Sequence, residues 1–401
     1  MSELAALSLH RANETRMRIG FLRLTDAAPV IVAHEFGFFA EEGVDAELVL
    51  EPSWANIADK LAYGFLDAAV IVPPLAVAVE LGLRGAAQPL IIPSAISLGG
   101  NTVTLAKDIA ARVRDVAERD GVSAAHALAR YLTTRTTGPL VLGVVHSYST
   151  HNLLLRYWLA AAGIDMDRDV KLTVVPPARA VEALQTGQIA GFCAGAPWGE
   201  VAARAGTGAT VATSNDIWRN APEKALTVRK QWADEFSDAV QGAIRALLRA
   251  AQFCDAPQNA SYTAALLSRQ RYLNVDSHAI LSSLPGGAIA PDNVSTFYRN
   301  AATFPWRSHA LWFLREMTRW KLIDKGLDHS DLATRMYRPD IYRSAVAPLG
   351  VATPSVDVKT EGTHAAAWQL EASPAPIAMG GDLFCDGGVF VPNLVTSAAA
   401  V

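Results

Sequence analysis

Short apolar runs alternate with helical patterns along this chain in an order that few folds can accommodate. Met17 to Leu24 reads as a buried strand, and Asp26 then offers a helix cap to the apolar run Val30 to Phe39, which Gly43 stops. Ala46 to Leu50 is a second strand, Asn56 to Tyr63 a short helix closed by Gly64, and Ala68 to Val72 a third strand. Strand, helix, strand, helix, strand in this rhythm calls for right-handed crossovers, hence a parallel sheet flanked by helices, an α/β architecture. Leu90 to Pro93 adds a fourth strand, and Gly99-Gly100-Asn101 makes the loop before a strand-like Thr102 to Leu105.

The rhythm then starts again. A charged helical stretch, Asp108 to Thr137, leads to the strand Leu140 to Val145, a helix after His151, and the strand Val170 to Val175. Pro176-Pro177 ends that strand, Ala180 to Gln185 is a short helix, Ile189 to Cys193 an apolar strand, and Val211 to Thr213 another. Ala225 to Arg229 is extended and returns the chain to the first unit, so two crossings would form a hinge. The helices opening at Ser237 and Ser308 should pack on that first unit. The expected layout is a discontinuous lobe I (17–105 and 225–343), lobe II (106–224) and a tail (344–401) laid over the surface. The tail is rich in Pro, Gly, Ala and Thr, with Ala365 to Leu370 its one convincing element.

Composition narrows the function classes. A chain of 401 residues, 51% hydrophobic and 18% charged, has the makings of roughly two globular cores. A formal charge of -4 and no run of lysine and arginine argue against direct nucleic-acid binding. Cys193, Cys254 and Cys385 are odd in number and widely spaced, which implies neither a disulfide framework nor a zinc site and leaves buried thiols as the default. The longest apolar stretch, Ala68 to Val79, is interrupted by Pro73-Pro74 and too short to span a bilayer. MSELAALSLHRANETR at the N-terminus offers no export-signal core, so the expected location is cytoplasmic, without membrane attachment.

Candidate ligand groups gather at strand ends. Ser147 to Trp158 (SYSTHNLLLRYW) runs from a strand into a helix, where Ser149 or Thr150 can cap and the remaining first-turn amides favour a small anion beside His151. Trp54, Asn101, Gly195 and Lys224 also follow, or edge, a strand, which is where open parallel sheets bind ligands. Lys224 supplies charge, His151 and Trp54 N–H donors, Asn101 an amide, and Gly195 close backbone approach. Taken singly each is ordinary: a capped helix with an exposed histidine, a packing tryptophan, a solvated loop lysine, two turn residues. No nucleophile accompanies them, so an enzyme is not expected.

EPSWANIADKLAYG, STHNLLLRYWLAAAGID, VVPP followed by GFCAGAPW, and SNDIW followed by PEKALTVRKQW resemble the nitrate- and bicarbonate-binding family of solute-binding proteins. The likeness runs from Met17 through YRPDIYR, with a weaker echo at Asp382 to Gly387. It implies the two-lobed, hinge-closing periplasmic-binding-protein-like fold (type II), with one anion in the cleft; no cofactor or metal is expected. Carried residue by residue, the family's nitrate contacts fall on Trp54, His151, Gly195 and Lys224, and Asn101 stands where the nitrate transporter's binding protein has Gln. Ala196 departs from the Glu usual in the family's GEPW motif. With no export signal expected, the chain is similar to a NasS-type nitrate and nitrite sensor, which implies release of a NasT-type RNA-binding antitermination protein on anion binding. The alternative is the substrate-binding component of a nitrate/nitrite ABC transporter.

Overall fold

The structure is a computed structural model that describes residues 16–287 and 294–393. Strands β1 (Met17–Phe21), β2 (Ala46–Leu50), β3 (Ala68–Ile71) and β4 (Leu90–Gly99) join β10 (Pro222–Arg229) and a two-residue strand at Ser295–Thr296 in a six-stranded sheet. In that sheet β1 lies parallel to both β2 and β3, as the βαβαβ rhythm requires. The late strand β10 inserts between β3 and β4, antiparallel to each. A second, five-stranded sheet has the order β7-β6-β8-β5-β9, formed by β5 (Asn101–Ala106), β6 (Leu140–Val144), β7 (Val170–Val174), β8 (Gly191–Gly195) and β9 (Gly208–Thr213). Two lobes result, each a mixed sheet flanked by helices.

The crossings between the sheets fall earlier than the sequence placed them. β5 pairs with β8 and β9, so residues 101–105 belong to the second sheet, and the first crossing is the glycine pair Gly99-Gly100. Both glycines have positive φ, +72° and +80°, a region that side-chain-bearing residues avoid. On the return, Pro222 and Lys224 already pair with β4, so the lysine is a strand residue of the first sheet. Long β4, ending at this hinge, replaces the expected four-residue strand at Leu90 to Pro93.

Several caps also differ. The charged helical stretch is two helices, Lys107–Asp120 and Ala124–Thr133, broken at Gly121, whose φ is +61°. Neither Ser237 nor Ser308 caps its helix; Ser308 instead lies 3.4 Å from Glu361. Asp26 makes no cap bond either and points into the space between the lobes.

The tail is more than a surface covering. Glu361, Asp382, Phe384 and Phe390 are buried. Glu361 takes the ammonium of Lys359, also in the tail, and stands 3.3 Å from His309 Nε2, while Asp357 bonds Arg307 and Arg343 at 2.7 Å each, these three on the first lobe. Asp386 accepts the Tyr157 hydroxyl at 2.9 and 3.0 Å on the second lobe. Phe384 packs 4.8 Å from Trp218 between ring centroids, and Trp218 packs 4.8 Å from Trp312. The tail therefore grips both lobes. Its one expected element, Ala365 to Leu370, contains the strand Trp368–Leu370, paired with Ile377–Met379. Among the described residues no helix is long and apolar enough to cross a membrane. Cys193 and Cys254 are buried but Cys385 is exposed, against the default of buried thiols.

Candidate functional site

The five residues expected to hold a ligand come from both lobes, and they converge. Trp54 opens the helix Trp54–Ala62, whose N-cap, Ser53, accepts the Asn56 amide. Asn101, first residue of β5, pairs directly with Gly195, last residue of β8. His151 sits in the first turn of the helix Thr150–Ala161, where Ser149 Oγ accepts the Asn152 amide at 3.1 Å, so Ser149 is the cap. Lys224 lies on β10 beside a register shift in its pairing with β4.

Burial overturns the readings of an exposed histidine and a solvated lysine, and agrees with a packing tryptophan. His151 is 0% exposed, Trp54 and Lys224 1%, and Asn101 2%. A lysine enclosed so completely keeps its charge only with partners. It has two carboxylates: Asp26 Oδ2 at 2.8 Å and Glu223, which it contacts directly. Its ammonium also lies 5.3 Å from the Trp54 ring centroid, within reach of the ring's negative face. Glu223 in turn accepts the Asn101 amide at 2.6 Å on its other oxygen. His151 Nε2 is 3.3 Å from Glu223 Oε1 but off line for a hydrogen bond.

The protonation states follow from this crowding. Burial alone would discharge Lys224, but Asp26 and Glu223 outweigh it and raise the lysine above its usual range. For Glu223, burial opposes ionisation, yet Lys224 and His151 outweigh it and the carboxyl is held below its usual range. For Asp26 burial wins over Lys224, Glu223 adds repulsion, and the carboxyl is pushed up. Burial lowers His151 to about 4, against the weaker pull of Glu223, so the ring is neutral at physiological pH.

The unpartnered groups are distinctive. Trp54 Nε1, both ring nitrogens of His151 and the acceptor Asn101 Oδ1 are buried polar atoms without a hydrogen-bond partner in the protein, a costly condition that native interiors mostly avoid, and the indole and the neutral ring each have one N–H to give. At Gly195 a Cβ would stand 3.4 Å from Asp26 Oδ2 and 3.5 Å from Asn101 Oδ1, so a larger side chain would fill the space among these groups. The lobes meet beside the site: Thr25 N–H donates to Ala196 C=O at 2.8 Å, and Trp198 Nε1–H to Arg23 C=O at 3.1 Å. A separate surface cavity of about 580 Å³, lined in part by Arg219, Asn220, Arg299 and Cys385, shares no residue with this cluster. No group of acidic, histidine or cysteine side chains among the described residues could hold a metal ion.

Asp26 and Glu223 were not among the expected site residues. Asp26 reads in sequence as a helix cap, and Glu223 as one of a loop triplet with Pro222 and Lys224. Their signal was the lysine itself, because burying an ammonium demands an acid nearby.

Residues 10–268 match the model of the NMT1-like family. The chain belongs to that family. It is 30% identical to the nitrate/nitrite binding protein NrtA of Synechococcus elongatus over 94% of this chain and 83% of that relative. It is 34% identical to the nitrate import ATP-binding protein NrtC of Synechocystis over 83% of this chain, but spans only 50% of that longer relative. Its fold superposes on the crystal structure of the periplasmic nitrate-binding protein NrtA from Synechocystis with a TM-score of 0.80 and 26% identity, covering 94% of this chain and 95% of that one. The two-lobed periplasmic-binding-protein-like fold expected from the sequence is the one found.

Proposed function

We propose that this NMT1-like chain binds nitrate or nitrite between its lobes, without catalysing a reaction. The observation that carries the reading is the gathering of unpartnered buried ring nitrogens of Trp54 and His151 around the buried ammonium of Lys224. A small planar oxyanion offers acceptors to the indole and imidazole N–H groups and charge to the ammonium, and a side-chain-free Gly195 leaves it room. The names of the relatives support nitrate or nitrite as the anion.

For the biological role, the relatives support the substrate-binding component of an ABC importer better than the cytoplasmic sensor with a NasT-type partner. In either role the bound anion would bridge the lobes and stabilise the closed form, exposing or hiding a partner's surface. Isothermal titration with nitrate, nitrite and bicarbonate tests the binding: saturable heat with nitrate or nitrite, lost in Lys224→Gln, is expected, and no heat with either anion refutes it. Fractionation and affinity capture then separate the roles, a membrane permease supporting import and a soluble RNA-binding protein supporting sensing.

A further inference from the structure

The anion site holds one cation against two acids, and a third negative charge entering it needs an answer. We infer that Asp26 is the proton acceptor that admits the anion: it is ionised against Lys224 in the empty cleft and takes up one proton when nitrate binds, becoming an O–H donor beside the ligand. This rests on the anion-binding reading and names a residue that would set its pH range and its preference.

The charges make the case. Lys224 with ionised Asp26 and Glu223 sums to one net negative charge in a buried cluster. A monovalent anion makes that two, with no further cation among the contacts of these groups. Like charges so close in a poorly hydrated interior do not both persist, and one carboxyl takes a proton, as in paired-carboxylate sites. A single proton returns the cluster to the charge it had before the anion entered.

Geometry decides which acid yields. Glu223 is committed to its charged form, with Asn101 Nδ2 at 2.6 Å on one oxygen and Lys224 on the other. Asp26 has Lys224 at 2.8 Å on Oδ2 and faces Gly195, where a Cβ would come within 3.4 Å of that oxygen. It thus borders the space left open for the ligand. The groups around it are Glu223 and Lys224 from β10, His151 beyond Glu223 from the helix Thr150–Ala161, the un-ionised buried thiol of Cys193 on β8, and the neutral Asn101 on β5. Arg23, on its own segment, turns away to the Gln270 and Tyr272 carbonyls. Burial already pushes the Asp26 carboxyl up, in the direction the exchange requires. Protonated, it relinquishes its claim on Lys224 and can donate to an anion oxygen.

Titration of the full chain with nitrate, an anion that carries no proton of its own in this range, reads the exchange directly. Binding heats measured at about pH 8 in buffers of different ionisation enthalpy should give an uptake near one proton. The dissociation constant should rise about tenfold per pH unit on the alkaline side, where Asp26 starts ionised. Asp26→Asn, neutral at every pH and nearly the same shape, should bind nitrate with an almost flat pH profile, more tightly than the parent at the alkaline end. Nitrate binding without proton uptake overturns the inference, as does an uptake that persists in Asp26→Asn. Absence of nitrate binding at any pH, in the parent and the variant alike, instead refutes the anion-binding reading itself.

Discussion

Removing the Lys224 ammonium would leave Asp26 and Glu223 facing each other in a site closed to water, and that is a stability problem before it is a binding problem. Lys224→Met should lower the unfolding free energy at neutral pH by about 3 to 5 kcal/mol, the usual consequence of breaking a buried charge pair from one side. Adding Asp26→Asn should recover part of the loss, and a urea midpoint unchanged in the single variant would show the carboxylates to be uncharged or hydrated. His151 acts differently, as a neutral donor: His151→Ala should weaken nitrate by about 1.5 to 3 kcal/mol, the worth of a hydrogen bond to a charged group, as read by titration calorimetry. Its burial also has a signature in pH. Burial lowers His151 and His146 from the ordinary 6.5 to about 4, and for His146 Arg84, 3.3 Å away, adds repulsion. The unfolded chain therefore holds more protons between those values, so this contribution is fully present above about pH 6.5 and is lost as pH falls toward 4. Urea unfolding at about pH 7.5 and pH 5 should show the acid loss, on the order of 2 kcal/mol over that span for fully buried His151, and His151→Gln should lessen it. The clustering of the five candidate residues was legible because strand ends, glycine and helix starts are local signals and a family resemblance joined them. The two acids were not, since nothing local distinguishes Asp26 in a turn before a helix from a cap.

Among the elements, the hinge carries the sharpest constraint. Gly100 has φ +80°, and a Cβ there would meet Ser295 Oγ at 2.3 Å. The serine hydroxyl can turn aside, but the backbone angle cannot be relieved without moving Asn101, the next residue and a member of the site. Gly100→Ala should accordingly lower stability by about 1 to 2 kcal/mol, the left-handed penalty, with little recovery from an added Ser295→Ala, as chemical denaturation would show. Most helices and strands could be read from apolar periodicity, because burial on one face imposes it. The crossing points could not: Asn101 and Pro222 to Lys224 read as loop, and only hydrogen-bond partners far along the chain make them strand and decide which sheet they join. The same limit hid the insertion of β10 between β3 and β4.

At the level of the whole molecule, the tail ties the two lobes through Asp386 to Tyr157 and through Glu361 and Asp357 to the first lobe. Its composition reads as a covering because proline, glycine and alanine carry no periodic signal, whereas Phe384 is anchored by rings distant in sequence. Phe384→Ala should cost about 3 to 5 kcal/mol in unfolding free energy, as for other large-to-small changes in a packed interior, and fluorescence of Trp218 and Trp312 should report the loosening. A change near zero would return the tail to the role of a surface covering.

The sheet order has a consequence for the newborn chain. β10 lies in the middle of the first sheet, between β3 and β4, yet it is made after every strand of the second lobe. At synthesis speeds of about 5 to 20 residues per second, the ribosome delivers it roughly ten seconds after β4. During that interval β3 presents one unpaired edge and β4 has no partner on either side, the condition in which strands find wrong partners. The second lobe, contiguous in sequence, is free to close in the meantime. The strand that joins β3 to β4 is also the one that brings Lys224 and Glu223, so a nascent chain acquires its buried charge cluster and the middle of its first sheet in a single event.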